Sequence, residues 1–152
     1  IDELFELLQL EETDMTLFFR SLSDIKSKQK ISSMEQWPEL MQAAFYQLEK
    51  LESNLVQRWT RWLQSYAARV SKLSDKARAE QMDAVNPLYV CRNYLAQKVI
   101  DSAEQGDFTG VETFLDVLKR PYTKQKNRQA YAERRPEWAR SRAGCSMLSC
   151  SS

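Results

Sequence analysis

The sequence predicts an all-α fold, a helical bundle, and three observations support this. The chain has only three glycines and four prolines among its 152 residues. Residues 39–86 contain neither type, and so long a stretch without a helix breaker favours helices over a sheet with tight turns. Apolar residues recur every three or four positions along most of the chain. A hydrophobic content of 43% is enough for the helices to bury a hydrophobic core.

Two helices are expected at the beginning of the chain. Residues 1–12 carry leucines on more than one side, which is typical of a helix buried against further protein. Thr13 and Asp14 are natural N-caps for a second helix that ends near Leu22. The polar residues 23–33 then predict an irregular connection. Because the chain starts inside an amphipathic pattern and without Met, we expect it to be a piece of a longer protein.

A long apolar stripe follows, beginning near Pro38, a residue suited to the first turn of a helix. Its spacing repeats every 11 residues, which keeps one stripe on one side of a nearly straight helix. The stripe predicts one long helix, or two helices on a shared axis with a break near Ser53 and Asn54. Its members are Leu40, Ala44, Leu48, Leu51, Leu55, Trp59, Trp62, Tyr66, Val70 and Leu73.

Three aromatic residues of the stripe, Trp59, Trp62 and Tyr66, allow two interpretations. They could form an aromatic binding face, or they could pack in the core against neighbouring helices. Aromatic side chains at helical spacing contribute large buried areas to cores. We therefore favour core packing.

Further helices are predicted downstream. Ser74 and Asp75 cap a short helix that runs to about residue 84. Asn86 and Pro87 then start another helix as its N-cap and its first-turn proline. The apolar face of that helix is predicted to consist of Leu88, Cys91, Leu95, Val99 and Ala103.

Cys91 lies on the apolar face just described, so we expect a small core residue rather than a reactive thiol.

The ends of the last two predicted helices carry clear signals. Gly106 suits the left-handed position after the end of this helix. Asp107 or Thr109 can cap a final helix. Pro121 stops that helix, because the residue before a proline disfavours helical backbone.

The charge of the chain is strongly polarised. Residues 119–142 hold nine basic and two acidic residues, which leaves a net charge of −6 on residues 1–118. A basic tail can bind nucleic acid, but it can also fold back onto an acidic body. We favour the second interpretation, because Tyr122, Tyr131 and Trp138 provide apolar anchors.

The sequence lacks the usual elements of a catalytic site. It contains no His, which removes the commonest general base and a common metal ligand. Its glycines are too far apart for a phosphate-binding loop, and no pair of acids stands out for acid–base work. Three cysteines without framework spacing favour a reducing compartment. Cys145 and Cys150 alone cannot build a zinc site, and no apolar run is long enough to cross a membrane.

A series of short motifs is more informative. The most specific is N-P-x-x-V-x-R-N-x-L-A-Q at residues 86–97, together with C-S-S at residues 150–152. Other blocks are T-L-F-F-R-S-L at residues 16–22, R-P-Y at residues 120–122 and R-P-E-W-A at residues 135–139. In this order and spacing the motifs closely resemble the C-terminal part of the selenoprotein O/YdiU family.

The resemblance implies a function for the parent protein rather than for this piece. The family has a kinase-like fold and transfers AMP from ATP to Ser, Thr or Tyr hydroxyls of proteins, with Mg²⁺ or Mn²⁺. Its ATP- and metal-binding residues lie upstream, so no catalytic, cofactor or metal ligand can be placed here. The resemblance implies that residues 1–120 are late helices of the C-lobe and that residues 121–152 are a basic tail. The partners would be the kinase-like domain of the same chain and the protein substrates, and the compartment would be the bacterial cytoplasm or the eukaryotic mitochondrion.

A few residues of the resembled blocks are candidates for a role. Cys150 occupies the place of the redox-active selenocysteine or cysteine of the family, which implies a regulatory disulfide; the alternative is an inert terminal thiol. Asn86 and Pro87 are structural motif residues. Arg92 and Asn93 could contact the kinase-like core or a substrate, but we favour a role in fixing their helix to the tail through backbone carbonyls.

Two other functions stay open. One is a free-standing helical interaction module whose basic tail binds an acidic partner or nucleic acid, although we do not expect nucleic acid. The other is an independent redox protein that uses Cys145 and Cys150. On the first hypothesis, in which the chain is part of an adenylyltransferase, the isolated chain is inactive. It is also only marginally stable, because the first helix and the Trp59–Trp62 face would lose their partners.

Overall fold

The computed structural model describes residues 1–72 and 74–145. The regular elements within these ranges are α-helices and short 3₁₀ helices, and the described residues form no β-strand. The α-helices are α1 (Asp2–Leu10), α2 (Met15–Ser21), α3 (Glu39–Ala44), α4 (Ser53–Arg69), α5 (Asp75–Asp83), α6 (Asn93–Glu104) and α7 (Thr109–Leu118). The predicted all-α class is therefore confirmed. None of these helices combines the length and the apolar character that crossing a bilayer requires.

The helices belong to two compact units, which are described separately. The first unit is Ile1–Asn86, and the second is Pro87–Ser152, of which residues 87–145 are described. The first unit holds α1 to α5, and the second holds α6, α7 and the segment that follows them.

Local capping signals place several helix ends where the sequence predicted them. The Asp14 carboxylate accepts a hydrogen bond from the backbone N–H of Leu17 at 3.0 Å and so caps α2. Ser74 caps α5 in the same way, through the N–H of Ala77. These caps satisfy donors that have no partner inside the helix.

The predicted long stripe is divided between two helices. Helix α3 ends at Ala44, and the chain runs through a short 3₁₀ turn before α4 begins at Ser53. The cause is a long-range contact. Thr13 and Phe45 form an isolated antiparallel bridge, in which Asp14 N–H donates to the Ala44 carbonyl at 2.8 Å. This pairing competes with helical hydrogen bonds. It explains why eight residues separate the two helices rather than a short break near Ser53 and Asn54. Leu73, the last predicted stripe position, lies outside the described residues.

The core of the first unit is built around Trp59. Its side chain is fully buried, and its ring centroid lies 5.4 Å from Phe18 and 5.3 Å from Phe45. Trp62 and Tyr66 are half-buried and stacked on each other at the edge of this core. The interpretation of the aromatic residues as core packing is confirmed. The expectation that Trp59 loses its partners in this chain is wrong, because α2 and the bridge at Phe45 cover it.

Helix α1, in contrast, has the exposed apolar side chains that were expected of it. Leu4 and Leu7 are buried against the core, whereas Ile1, Phe5 and Leu10 are 89%, 51% and 54% exposed. Part of the apolar surface of α1 therefore faces solvent, in agreement with a helix whose sequence calls for contacts on more than one side.

One predicted helix begins later than expected. Asn86 and Pro87 do not open it; α6 starts at Asn93, and residues 87–92 are not helical. The N–H groups of Leu88 and Tyr89 donate instead to the carbonyl oxygen of Pro121. These bonds hold residues 88 and 89 against the segment after α7, and the backbone becomes helical only at Asn93.

This late start corrects the placement of Cys91. The residue was predicted on the apolar face of a helix, and it is exposed in the structure. Since residues 87–92 are not helical, the spacing that put Cys91 in line with Leu95 does not apply. Gly106 adopts φ +89° after α6, as predicted. The N-cap of α7 is Phe108, without a side-chain cap hydrogen bond, so neither Asp107 nor Thr109 takes the predicted cap position. The Asp107 carboxylate accepts from the N–H of Thr109 at 3.0 Å.

Candidate functional site

The guanidinium of Arg20, on α2, is a buried polar group of the first unit with several hydrogen-bond partners. The residue is 8% exposed, and its guanidinium donates to the carbonyl oxygens of Asp83 at 2.9 Å and Asn86 at 2.7 Å. Its other terminal nitrogen pairs with the Asp83 carboxylate at 3.1 Å. The Asn86 side chain in turn donates to the Met82 carbonyl at 2.9 Å, which closes the end of α5. Arg20 thus fixes the turn that leads out of the first unit.

A second buried arginine, Arg78 on α5, binds the segment after α2. It is 4% exposed and donates to the carbonyl oxygens of Leu22, at 3.0 Å, and Ile25. It also lies 3.4 Å from a carboxylate oxygen of Asp75. Arginine is suited to this task because its planar fork offers several donors in fixed directions. Two arginines of the first unit therefore satisfy carbonyl groups that would otherwise be buried without partners.

Electrostatics around Arg78 follow from these contacts. The pKa of Asp75 lies below its ordinary value, mainly because the backbone N–H of Ser27 donates to the carboxylate, with smaller contributions from the Ser27 hydroxyl and Arg78. Burial raises the pKa of Tyr66, and the nearby charge of Arg78 only partly opposes that effect. Both groups keep their ordinary charge at neutral pH. The arrangement holds the fold together and offers no group poised for proton transfer.

The N-P motif is held to the R-P-Y motif in the second unit. The Pro121 carbonyl accepts from the N–H of Leu88 at 2.8 Å and from that of Tyr89 at 3.1 Å. The Tyr89 side chain is 2% exposed, and its hydroxyl accepts from the N–H of Gln125 at 3.0 Å. Two motifs more than 30 residues apart therefore share one hydrogen-bonded connection. These residues act as packing elements.

The other predicted residues of the N-P motif occupy the start of α6. Arg92 is the N-cap residue, and its carbonyl accepts from the N–H groups of Leu95 and Ala96, both at 3.0 Å. Asn93 is the first residue of the helix and is exposed. Their predicted role in fixing the helix to the tail stays a prediction. Cys150, the predicted redox residue, lies outside the described residues.

The basic tail contacts the α6–α7 pair. The Tyr94 hydroxyl donates to the Glu133 carbonyl at 2.9 Å, and Trp138 packs edge-on against the Tyr94 ring with centroids 6.3 Å apart. The Lys98 ammonium lies 5.4 Å from the centre of the Trp138 ring, within the range of a cation–π contact. Ala139 is fully buried. The tail is thereby attached to α6 by backbone, aromatic and cationic contacts together.

An ion pair completes this attachment. Arg142 lies 2.6 Å from a carboxylate oxygen of Asp101. The pKa of Asp101 is below its ordinary value, first because the Gln97 side chain donates to it and then because of Arg142. Tyr131 stacks on Phe114 of α7 at 5.7 Å, whereas Tyr122 is 44% exposed and anchors little. Cys145 is buried in the same cluster as Ala139, and the redox pair with Cys150 stays a prediction because Cys150 lies outside the described residues.

The sequence pointed to the motif blocks but not to the two buried arginines. Arg20 stood inside a recognised block without an assigned role, and Arg78 lay on a helix with almost no amphipathic signal. A charged residue directly after the Phe18–Phe19 pair was the available signal for Arg20. Neither arginine is left to bind an external anion, since each is occupied by carbonyl and carboxylate oxygens.

Neither the groove of the first unit nor the arrangement of possible metal ligands indicates a binding site among the described residues. A shallow groove of about 630 Å³ in the first unit is lined mainly by hydroxyl and amide side chains, with Glu35 and Arg61 as its charged residues. Within residues 1–72 and 74–145 no three Cys, Asp or Glu side chains are grouped so that they could hold a metal ion.

Comparisons with known proteins identify the family. The model of the family described as "Protein adenylyltransferase SelO" matches residues 1–119. Three bacterial relatives named "Protein nucleotidyltransferase YdiU" match the whole chain: those of Flavobacterium johnsoniae at 44% identity, Xanthomonas campestris pv. campestris at 49% and Azoarcus sp. at 47%. The chain spans only 28–29% of the length of these relatives. On the match over residues 1–119 and the identity over the full chain, this chain belongs to the SelO protein adenylyltransferase family.

Proposed function

We propose that this chain is the C-terminal structural and regulatory part of a protein adenylyltransferase. The parent enzyme transfers AMP from ATP to Ser, Thr or Tyr hydroxyls of protein substrates. Family membership carries the proposal: the chain matches relatives named as nucleotidyltransferases along its full length while spanning less than a third of theirs. The ATP site, with its Mg²⁺ or Mn²⁺, then lies in the remainder of the parent chain.

The contacts of the motif residues support a structural role for this part. Arg20 holds the Asn86 turn, and Pro121 holds Leu88 and Tyr89. Residues of the blocks that the family resemblance singles out are therefore engaged in contacts within their own unit, Arg20 through its side chain and the others through their backbone. We propose that residues 1–120 form a helical support for the kinase-like domain and that residues 121–152 form the tail that closes onto α6 and α7.

The regulatory part of the proposal rests on Cys150 and the sequence resemblance. Cys150 would form and release a disulfide with a cysteine of the kinase-like domain, and the transfer activity would depend on redox state. Cys145 is 5% exposed, which limits its access to a partner thiol. Cys91 is exposed and therefore serves as the control. Cys150→Ser in the parent enzyme is expected to abolish the effect of oxidation on activity, whereas Cys91→Ser is expected to preserve it. Equal redox sensitivity in wild type and Cys150→Ser would refute the regulatory role.

A nucleotide-binding measurement tests whether the ATP site lies outside this chain. Calorimetric titration of ATP with Mg²⁺ is expected to show binding to the full-length parent and none to the 152-residue chain. Heat of binding to the isolated chain, saturating at one nucleotide, would contradict the placement of the site. We do not propose nucleic-acid binding by the tail, because Arg140 and Arg142 already pair with Glu137 at 2.9 Å and Asp101 at 2.6 Å.

A further inference from the structure

The α6–α7 pair carries an apolar face that remains exposed to solvent. Its members are Ile100, Phe108, Val111 and Leu115, with exposed fractions of 47%, 63%, 41% and 52%. Phe108, Val111 and Leu115 are spaced by three and four residues, so they lie on one side of α7. Contiguous exposed apolar side chains of this kind mark interaction surfaces more often than chance placement does.

Ile100 belongs to the same face by geometry. The connection between α6 and α7 is only four residues long, which makes the two helices antiparallel neighbours. They meet where the Val99 side chain lies 3.7 Å from the position that a Cβ would take at Gly110. Each step along an α-helix rotates the side chain by about 100°. Because the two helices run in opposite directions, the residue after Val99 and the residue after Gly110 rotate toward the same side of the pair. Ile100 and Val111 therefore extend the stripe across both helices.

The opposite face of the pair is already occupied. Tyr94, Leu95 and Phe114 are buried in a cluster with Ala139 and Cys145 of the tail. This packing fixes the orientation of both helices within the unit, so the exposed face is presented on a supported pair rather than on a mobile helix. Burial on one side and exposure on the other define which surface is open to a partner.

Charge indicates the chemistry of that partner. Residues 93–118 contain five acidic residues and a single lysine, Lys98. Glu104, Asp107 and Glu112 are exposed, and Glu112 lies within one turn of Leu115 on α7. Asp116 is already paired with Lys119 at 3.1 Å. The pKa of Asp107 is held below its ordinary value, mainly by the Thr109 hydroxyl, so that carboxylate stays charged. A partner surface of positive charge is therefore favoured beside the apolar residues.

The molecule's own tail shows what this pair of helices accommodates. On the covered face, the tail places Ala139 and Trp138 against α6 and pairs Arg142 with Asp101. That segment combines apolar side chains with closely spaced arginines. The exposed face offers the same combination of apolar and acidic groups.

We propose that the exposed α6–α7 face binds a segment of a partner protein, a helix with apolar residues every three or four positions and flanking lysines or arginines. Recognition would follow the helix-in-groove mode, in which apolar anchors supply affinity and charges fix the orientation. The binding does not depend on AMP transfer, so it stands or falls separately from the proposed function.

The probe is a fluorescent synthetic peptide with leucines at helical spacing and lysines beside them. A matched peptide with every lysine replaced by glutamate controls for apolar attraction alone. The variant Val111→Ser/Leu115→Ser removes the centre of the face, Glu112→Lys reverses a flanking charge, and Val85→Ser is the matched control. Val85 is 70% exposed and lies outside this pair of helices. All four side chains are exposed, so each variant is expected to fold.

Fluorescence anisotropy is expected to show binding of the lysine peptide and none of the glutamate peptide. The double variant is expected to weaken binding about tenfold or more, since two apolar anchors are lost. Glu112→Lys weakens binding most at low salt, and Val85→Ser leaves it unchanged. Equal affinity in all variants overturns the proposal. So does a wild-type dimer that the double variant abolishes, which assigns the face to a second copy. Binding to this chain but not to the full-length parent overturns it as well, because the rest of the parent then covers the face.

Discussion

The guanidinium of Arg20 donates a hydrogen bond of 2.7 Å to the carbonyl oxygen of Asn86, 66 residues further along the chain. Asn86 opens the most specific motif of the sequence, and Arg20 belongs to the first motif block. The contact therefore joins two sequence features whose connection has a physical cause. A buried turn with unpaired carbonyl groups is costly, and Arg20 supplies the donors.

Replacing Arg20 by Ala is expected to destabilise the chain by about 3 kcal/mol, because the carbonyls of Asp83 and Asn86 and the Asp83 carboxylate lose their donor together. Urea unfolding followed by circular dichroism measures the change. Arg58→Ala is the matched control, since Arg58 pairs with Glu6 at 3.2 Å on the surface and such pairs contribute at most about 1 kcal/mol. Similar effects of the two variants would contradict the role given to Arg20.

Replacing Trp59 by Ala is expected to cost about 4 kcal/mol, since it leaves a cavity between Phe18 and Phe45 in the core. Trp138→Ala, at a tryptophan that is 43% exposed, is expected to cost less than half as much. Thermal unfolding of both variants provides the comparison. A Trp59→Ala variant as stable as the wild type would mean that this ring belongs to a binding face.

The pH dependence of stability is expected to include a contribution from Asp75. Its folded pKa is below the ordinary value of 3.8, mainly through the hydrogen bond from Ser27 N–H. The stabilisation is therefore fully present above that ordinary value and is lost as the pH falls through the lower folded pKa. Urea midpoints measured from neutral pH down to about pH 2.5 test this. Asp75→Asn is expected to start lower and to decline less, and parallel curves for the two proteins would be inconsistent with it.

Thiol reactivity distinguishes Cys91 from Cys145. Cys91 is exposed, and Cys145 is 5% exposed within the tail cluster. Brief alkylation followed by peptide mass spectrometry is expected to label Cys91 well before Cys145, because the reagent must reach the sulfur. In urea the two rates are expected to become similar. Early labelling of Cys145 in the folded chain would show that the tail does not cover it.

Local signals in the sequence were sufficient for the helical class and for several helix ends. Asp14, Ser74 and Gly106 act within their own turns, so neighbouring residues decide their conformations. The apolar stripe likewise identified α4, although not the full burial of Leu63, which lies between its predicted members.

The errors arose where distant segments meet. The bridge between Thr13 and Phe45 ends the helix that the stripe continued. The N–H groups of Leu88 and Tyr89 pair with the Pro121 carbonyl, residues 87–92 are not helical, and Cys91 is exposed. Such tertiary hydrogen bonds override local propensity, and no periodicity within a short window can reveal them.

The activity proposed for the full-length parent enzyme is measured as AMP transfer. The enzyme is incubated with a protein substrate and with ATP labelled at either the α- or the γ-phosphate, alongside the isolated 152-residue chain. We expect the full-length enzyme to incorporate the α-label alone and the chain to incorporate neither label. Incorporation of the γ-label by the full-length enzyme, or of either label by the isolated chain, would refute the proposed function.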